Sequence, residues 1–143
     1  MAFGIEEKYV IFKLDNRDYG LNIENVLSIE KMQECTKVPN APSFIKGVIN
    51  LRGEIVPIID LKDKLGIGKI EIDSDTRVII VSDEKNTVGL IVEYSSEILQ
   101  INDNGINRPL VIEENNFNEY IKDIGKVNNR VIMIVDLEKL LKN

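Results

Sequence analysis

The chain has 143 residues, of which 43% are hydrophobic and 29% charged, and its formal net charge is −6. That is the size of one compact domain with enough apolar side chains for a core, and the acidic balance disfavours nucleic-acid phosphates and anionic lipid as partners. Histidine is absent and cysteine occurs once, as Cys35, which removes the usual general base and phospho-acceptor and leaves no internal disulfide or multi-thiolate zinc site.

Met1 to Lys8 lacks the basic flank and apolar stretch of a secretory signal, and no apolar run approaches the ~18 residues of a membrane span, so a cytoplasmic location is expected. Tyr9 to Leu14 predicts a strand, Asp15 to Asp18 a turn, and Tyr19 to Ile23 a second strand, which together make a hairpin. Leu21 to Met32 reads equally as a helical turn or a strand. Pro39 and Pro42 force an extended connection into a strand beginning near Gly47, and Arg52-Gly53 closes the next turn. Glu54 to Leu61 reads as an apolar strand in which Pro57 cannot donate to a ladder, so a local edge or a bulge is expected there. Asp60 is placed to cap a helix whose Leu61 and Leu65 share one face, with Gly66 as its stop.

The same grammar then returns. Arg77 to Ser82, Asp83 to Asn86 and Val88 to Val92 repeat the first hairpin, 68 positions on from Tyr9 to Arg77, with Gly20-Leu21 and Gly89-Leu90 at equivalent points. Arg130 to Leu137, with Leu140 and Leu141, repeats Glu54 to Leu61 and Leu65 at 76 positions, from Asp60 to Asp136. The difference of eight points to an insertion within the polar stretch Asn102 to Asn129. Units of this size, 9–65 and 77–141, cannot bury a generous core alone, so they should pack together. The expected fold is mainly β: two small five-stranded barrels from an internal duplication, sharing a core, with short helices including one at the C-terminus.

Carboxylates are the acid–base groups present in quantity, as Asp15 and Asp18, Asp73 and Asp75, and Glu113 and Glu114. Each pair lies in a predicted turn or polar loop and reads as solvated turn chemistry. Glycoside hydrolysis needs carboxylates on opposite walls of an aromatic-lined cleft, and Asp73-Ser74-Asp75 lacks the rest of a calcium loop. With no glycine-rich phosphate loop either, no catalytic residue, metal or cofactor is expected. Cys35 reads as a small, half-buried residue. Arg52 has two readings: a solvated neighbour of a turn glycine, or an arginine presented by a rigid turn as an interface anchor. A barrel binding another ligand or nucleic acid is the alternative class, and the acidic charge and sparse aromatics argue against it.

In this setting the sequence resembles the bacterial chemotaxis coupling proteins, the CheW-like family. The resemblance rests on Tyr19-Gly-Leu-Asn-Ile23 with Val26 and Ile29, Val38-Pro39, Asn40-Ala-Pro-Ser-Phe-Ile-Lys-Gly47, Asn50-Leu-Arg-Gly53, Pro57-Ile-Ile-Asp-Leu61, Val88-Gly89-Leu90 and Asp136-Leu-Glu-Lys-Leu-Leu141. It covers the chain from about Lys8 to the end, a single domain of 8–143. It implies two intertwined five-stranded barrels that exchange a strand segment between the halves, and a non-enzymatic scaffold that joins the cytoplasmic tip of methyl-accepting chemotaxis receptors to the regulatory domain of the chemotaxis histidine kinase. Arg52 and Gly53, with Val26, Ile29 and Ile98, carry over as the receptor-binding groove, and Arg108-Pro109 as the kinase contact. Two departures stand out: Ser28 where the family commonly has an acidic residue, and Asp123 where its Tyr-Ile-x-Gly pattern has glycine. A coupling protein of a non-flagellar chemosensory system would carry the same features.

Overall fold

Tight turns set the local architecture. In the computed structural model, which describes residues 6–102, 106–107 and 117–142, three turns place both central residues in the left-handed region. They are Asp15 and Asn16 (φ 51° and 62°), Arg52 and Gly53 (51° and 89°), and Asn128 and Asn129 (49° and 67°). Positive φ at both positions matches the right-handed twist of the flanking strands, and Asn, Asp and Gly tolerate it best. These turns join β1 (Glu6–Leu14) to β2 (Arg17–Asn22), β4 (Ile45–Leu51) to β5 (Glu54–Asp60), and β10 (Ile121–Val127) to β11 (Arg130–Val135). The first turn is shorter than predicted, because Arg17 and Asp18 already pair with Leu14 and Lys13. The ambiguous stretch after β2 contains both of its readings: a 3-10 turn over Ile23–Asn25, then β3 (Val26–Lys31). The strand after Pro42 starts at Ile45, two residues before Gly47.

The remaining elements are α1 (Leu61–Leu65), β6 (Arg77–Ser82), β7 (Thr87–Val92), β8 (Tyr94–Asn102), the two-residue β9 (Ile106–Asn107), α2 (Phe117–Tyr120) and α3 (Leu137–Leu141). Both predicted caps form. Asp60 is fully buried, with Oδ1 accepting from the Asp63 amide at 3.2 Å and Oδ2 from the Ile70 amide at 2.9 Å. Asp136 Oδ1 accepts from the Lys139 amide at 3.1 Å, and Gly66 ends α1 at φ 77°. Such caps each contribute about 1 kcal/mol.

The strands form two sheets, ordered β8-β1-β2-β11-β10-β9 and β3-β6-β7-β5-β4. The expected mainly β fold with a C-terminal helix is present, β9 adding a sixth strand to the first sheet. Gly20 pairs with Ile11 and Gly89 with Ile80, so the hairpins repeat at 69 positions, not 68. Edge strands β3 and β8 share that offset, Ile29 facing Ile79 and Ile98 facing Val10. The closing strands repeat at 76, Ile58 beside Gly89 and Ile134 beside Gly20. The second repeat is therefore longer by seven residues, not eight, and they fall between β8 and β10.

Each sheet combines one repeat's hairpin with the other repeat's later strands. Hairpin β1–β2 lies with β8, β10 and β11, while β6–β7 lies with β3, β4 and β5. The joints are the parallel pairs β2·β11 and β5·β7. A Cβ on Gly20 would come 3.3 Å from Ile134 Cδ1, and one on Gly89 would come 2.6 Å from both Ile58 Cδ1 and Val78 Cγ1. The repeated Gly-Leu of the sequence is thus the place where an isoleucine of the neighbouring strand packs on bare backbone. Pro57 fits an interior strand because the ladder to β7 begins only at Ile58.

One core runs through both sheets: Phe12, Leu14, Tyr19 and Leu21 pack in the same cluster as Ile58, Leu61, Ile79, Leu90 and Leu140. Phe12 and Tyr19 stack with ring centroids 5.5 Å apart. Burying each such side chain is worth about 1.5–3 kcal/mol, so a lone repeat would leave a wall of this core bare. Between the sheets, Lys64 Nζ lies 4.1 Å from the centroid of the Phe44 ring and 5.4 Å from that of Tyr120. Burial lowers the Lys64 pKa; the ring faces partly compensate the lost hydration.

Polar ties correct one expectation. Asp15 and Asp18 do not simply face solvent: Lys62 Nζ lies 2.7 Å from Asp15 Oδ1, while Asp18 is held by Lys13 at 3.0 Å and Arg130 at 3.1 Å. The exchange brings α1 of one sheet, and the start of β11, onto a hairpin that sequence alone leaves isolated. Asp73 is a turn former as read, its Oδ1 accepting from the Asp75 amide at 2.8 Å; Glu113 and Glu114 lie outside the described residues.

Candidate functional site

The β4–β5 turn is built by three consecutive devices. Asn50 Oδ1 accepts the Gly53 amide at 2.9 Å; Gly53 takes φ 89° with nothing within 4 Å of where a Cβ would stand; and Arg52 Nη2 lies 3.5 Å from Glu30 Oε2 on β3. The Arg52 side chain remains 73% exposed. A non-glycine residue in the left-handed region costs about 1–2 kcal/mol, and the repeat counterpart of Arg52, 76 positions on, is Asn128 at φ 49°. The turn geometry is met by asparagine, so the arginine is not there to make the turn. Both readings of Arg52 require the exposed guanidinium that is observed.

Around it the edge strand is unusually apolar. Leu27 and Ile29 on β3 are 62% and 43% exposed, and Ile55, just past the turn on β5, is 62% exposed. Val26 is half-buried and packs on the shared core opposite Val81. Arg52, Gly53, Val26 and Ile29 therefore belong to one sheet, linked through Glu30. Ile98, 53% exposed, lies on β8 at the edge of the other sheet, at the repeat position equivalent to Ile29. Arg108 and Pro109 lie outside the described residues. Glu30 and Leu27 were not singled out from the sequence, and Asn50 only within the Asn50-Leu-Arg-Gly53 motif; an asparagine three residues before a turn glycine was the legible signal for its bond.

The two departures sit at defined irregularities. Ser28 follows a bulge in β3 and faces Ile80. Asp123 follows a bulge in β10, as Gly47 does in β4. Gly47 has φ 148° and a Cβ there would meet the Thr36 carbonyl oxygen at 2.3 Å, whereas Asp123 is not among the residues with positive φ. The second repeat accepts a side chain at this bulge.

Among the described residues no group of three or more Asp, Glu or Cys side chains converges as metal ligands, and no helix is long and apolar enough to cross a membrane. Cys35 is half-buried, its thiol 3.7 Å from the Gln33 carbonyl, and burial raises its pKa. It is no activated nucleophile.

Two sheets with exchanged hairpins, presenting a displayed arginine beside exposed isoleucines and leucine, define a protein-binding scaffold, since such residues anchor interfaces. Residues 8–143 match the family described as the CheW-like domain. The chain is 35% identical to the chemotaxis protein CheW of Klebsiella aerogenes, across 97% of this chain and 84% of that protein. It is 33% identical to that of Bacillus subtilis, across 94% and 86%. The scaffolding protein TtCheW from Thermoanaerobacter tengcongensis, known from a crystal structure, has the same fold, with TM-score 0.89, 37% identity and coverage of 97% and 94%. The chain belongs to the CheW-like family: it is a non-enzymatic chemotaxis scaffold that couples receptors to a kinase.

Proposed function

We propose that the Arg52–Gly53 turn, with Val26, Ile29 and the equivalent edge residue Ile98, binds the cytoplasmic tip of methyl-accepting chemotaxis receptors, and that Arg108-Pro109 contacts the regulatory domain of the chemotaxis histidine kinase. The protein then works in the cytoplasm as one domain of residues 8–143, recruited to receptor arrays at the membrane. The observation that supports this is the exposed Arg52 guanidinium in a turn whose counterpart does without arginine. Its five donors suit carboxylate or carbonyl groups of a helical tip, and the flanking Ile29 and Leu27 supply apolar contact.

The test is a pair of titrations of Arg52→Glu, one against a receptor tip fragment and one against the kinase regulatory domain. Receptor affinity should fall by more than about tenfold, a loss of ~1.4 kcal/mol or more, with kinase affinity changing much less. Unchanged receptor affinity, or a large drop in melting temperature, refutes the assignment.

A further inference from the structure

The exchange of hairpins leaves one covalent thread between the repeats, residues 66–76, and these lie in neither helix nor strand. Residues 71–75 are exposed, Ile72 by 55%. Up to Ile70 the thread is anchored to the first repeat, with Ile70 buried in the core and its amide on Asp60 Oδ2, whereas the Thr76 amide bonds Asp73 within the thread itself. Asp60 pairs with Ile91 and Arg77 with Val92, so Asp60, on which Ile70 is held, and Arg77 flank β7 and stand two strand spacings apart, about 10 Å. The seven steps from Ile70 to Arg77 can reach about 24 Å when extended, more than the closed chain uses, whereas the two steps left without residues 71–75 reach only about 7 Å.

What residues 71–75 connect is held by non-covalent contacts in which they take no part. The shared core, the two Gly–Ile joints and the Lys62–Glu93 ion pair at 3.7 Å all join one repeat to the other. We propose that a second copy of this chain is a partner, engaged by exchange of whole repeats about residues 71–75. Residues up to Ile70 of one copy then assemble with Thr76 onward of the other, and each half of the dimer rebuilds both sheets.

Closed monomer and exchanged dimer bury the same surfaces, so loop closure against association decides between them. A short tether holds the second repeat at an effective concentration of roughly millimolar. Dilute chains therefore close on themselves, and exchange rises as chains fold at concentrations approaching that value. The dimer carries two Arg52 turns, which makes the scaffold bivalent without any new contact.

The test uses the full chain, unfolded in denaturant and refolded over a range of protein concentrations, as a mixture of normal and isotopically heavy copies. The expected result is a species of doubled mass whose share grows with refolding concentration, which contains mixed pairs, and which persists when the native protein is diluted. Deleting residues 71–75 should enlarge that share several-fold. Monomer at every concentration overturns the proposal, as does a dimer that falls apart on simple dilution, which would be surface association. If the deletion variant fails to fold, the concentration series of the unaltered chain still decides.

Discussion

The Lys62 ammonium lies 2.7 Å from the Asp15 carboxylate, tying the helix that closes one sheet to the hairpin turn of the other. Glu93 completes the tie, its Oε1 accepting the Asp15 amide at 2.6 Å. The Lys62 side chain is 11% exposed and Asp15 48%, so the pair is worth more than a surface bridge and less than a buried one. A double-mutant cycle on Lys62→Met and Asp15→Asn should give a coupling of about 1 kcal/mol, read from urea midpoints. The hydrogen bond that Lys62 donates to Asp15 raises the Lys62 pKa against the opposing effect of burial. This stabilisation is therefore full below the unfolded value of about 10.4 and lost as pH rises through the higher folded value. No coupling at pH 7 would show the contact to be incidental.

Repeat symmetry predicts a stabilising substitution. By the 69 and 76 offsets, Asp15, Lys62 and Glu93 correspond to Glu84, Glu138 and Glu24, and the second set has no cation at its centre. Glu84 and Glu138 line one cleft, whose cations are Lys85, Lys122 and Lys142 at other positions. Glu138→Lys should recreate the tie and add roughly 0.5–1 kcal/mol, seen as a higher melting temperature. A fall in melting temperature would mean the second cleft does not reproduce the first geometry.

The two joint glycines should differ in tolerance. Gly89→Ala pushes a methyl group to 2.6 Å from Ile58 and Val78, which must move, whereas Gly20→Ala meets nothing closer than 3.3 Å. Overpacking of the first kind costs ~1–3 kcal/mol. Chemical denaturation should rank Gly89→Ala well below Gly20→Ala; equal stabilities would show that the β5·β7 joint is loose.

Acid should weaken the first sheet through Asp18. Burial alone would raise its pKa, but hydrogen bonds from Lys13 and Arg130 outweigh this and hold it below the usual value. A lowered folded pKa means that the stabilisation is complete above the unfolded value of about 3.9 and disappears as pH falls through the folded one. Asp83, lowered by the amides of Asn86 and Lys85, acts in the same direction. Asp18→Asn should lower the denaturation midpoint at pH 7 and flatten its decline toward pH 3. An unchanged acid limb would assign that decline to other carboxylates.

What the sequence determined by itself is everything that rests on neighbours in the chain. Alternation of apolar residues set the strands, Asn-, Asp- and Gly-bearing turns set the hairpins, and Asp60 and Asp136 set the helix starts, because each of these preferences is satisfied within a few residues. The duplication was equally legible, since it is a comparison of the chain with itself. Only the tertiary structure decided which hairpin belongs to which sheet. Gly20 and Gly89 offer the same bare backbone and Ile58 and Ile134 the same side chain, so local chemistry accepts either pairing, and closing one shared core chose the crossed one. The same holds for the polar contacts. Lys62 with Asp15, Arg130 with Asp18 and Arg52 with Glu30 join residues 47, 112 and 22 positions apart, and charge has no sequence periodicity that would announce such a partner. The 73% exposure of the Arg52 side chain was likewise a tertiary fact, because it depends on where β3 and its Glu30 lie.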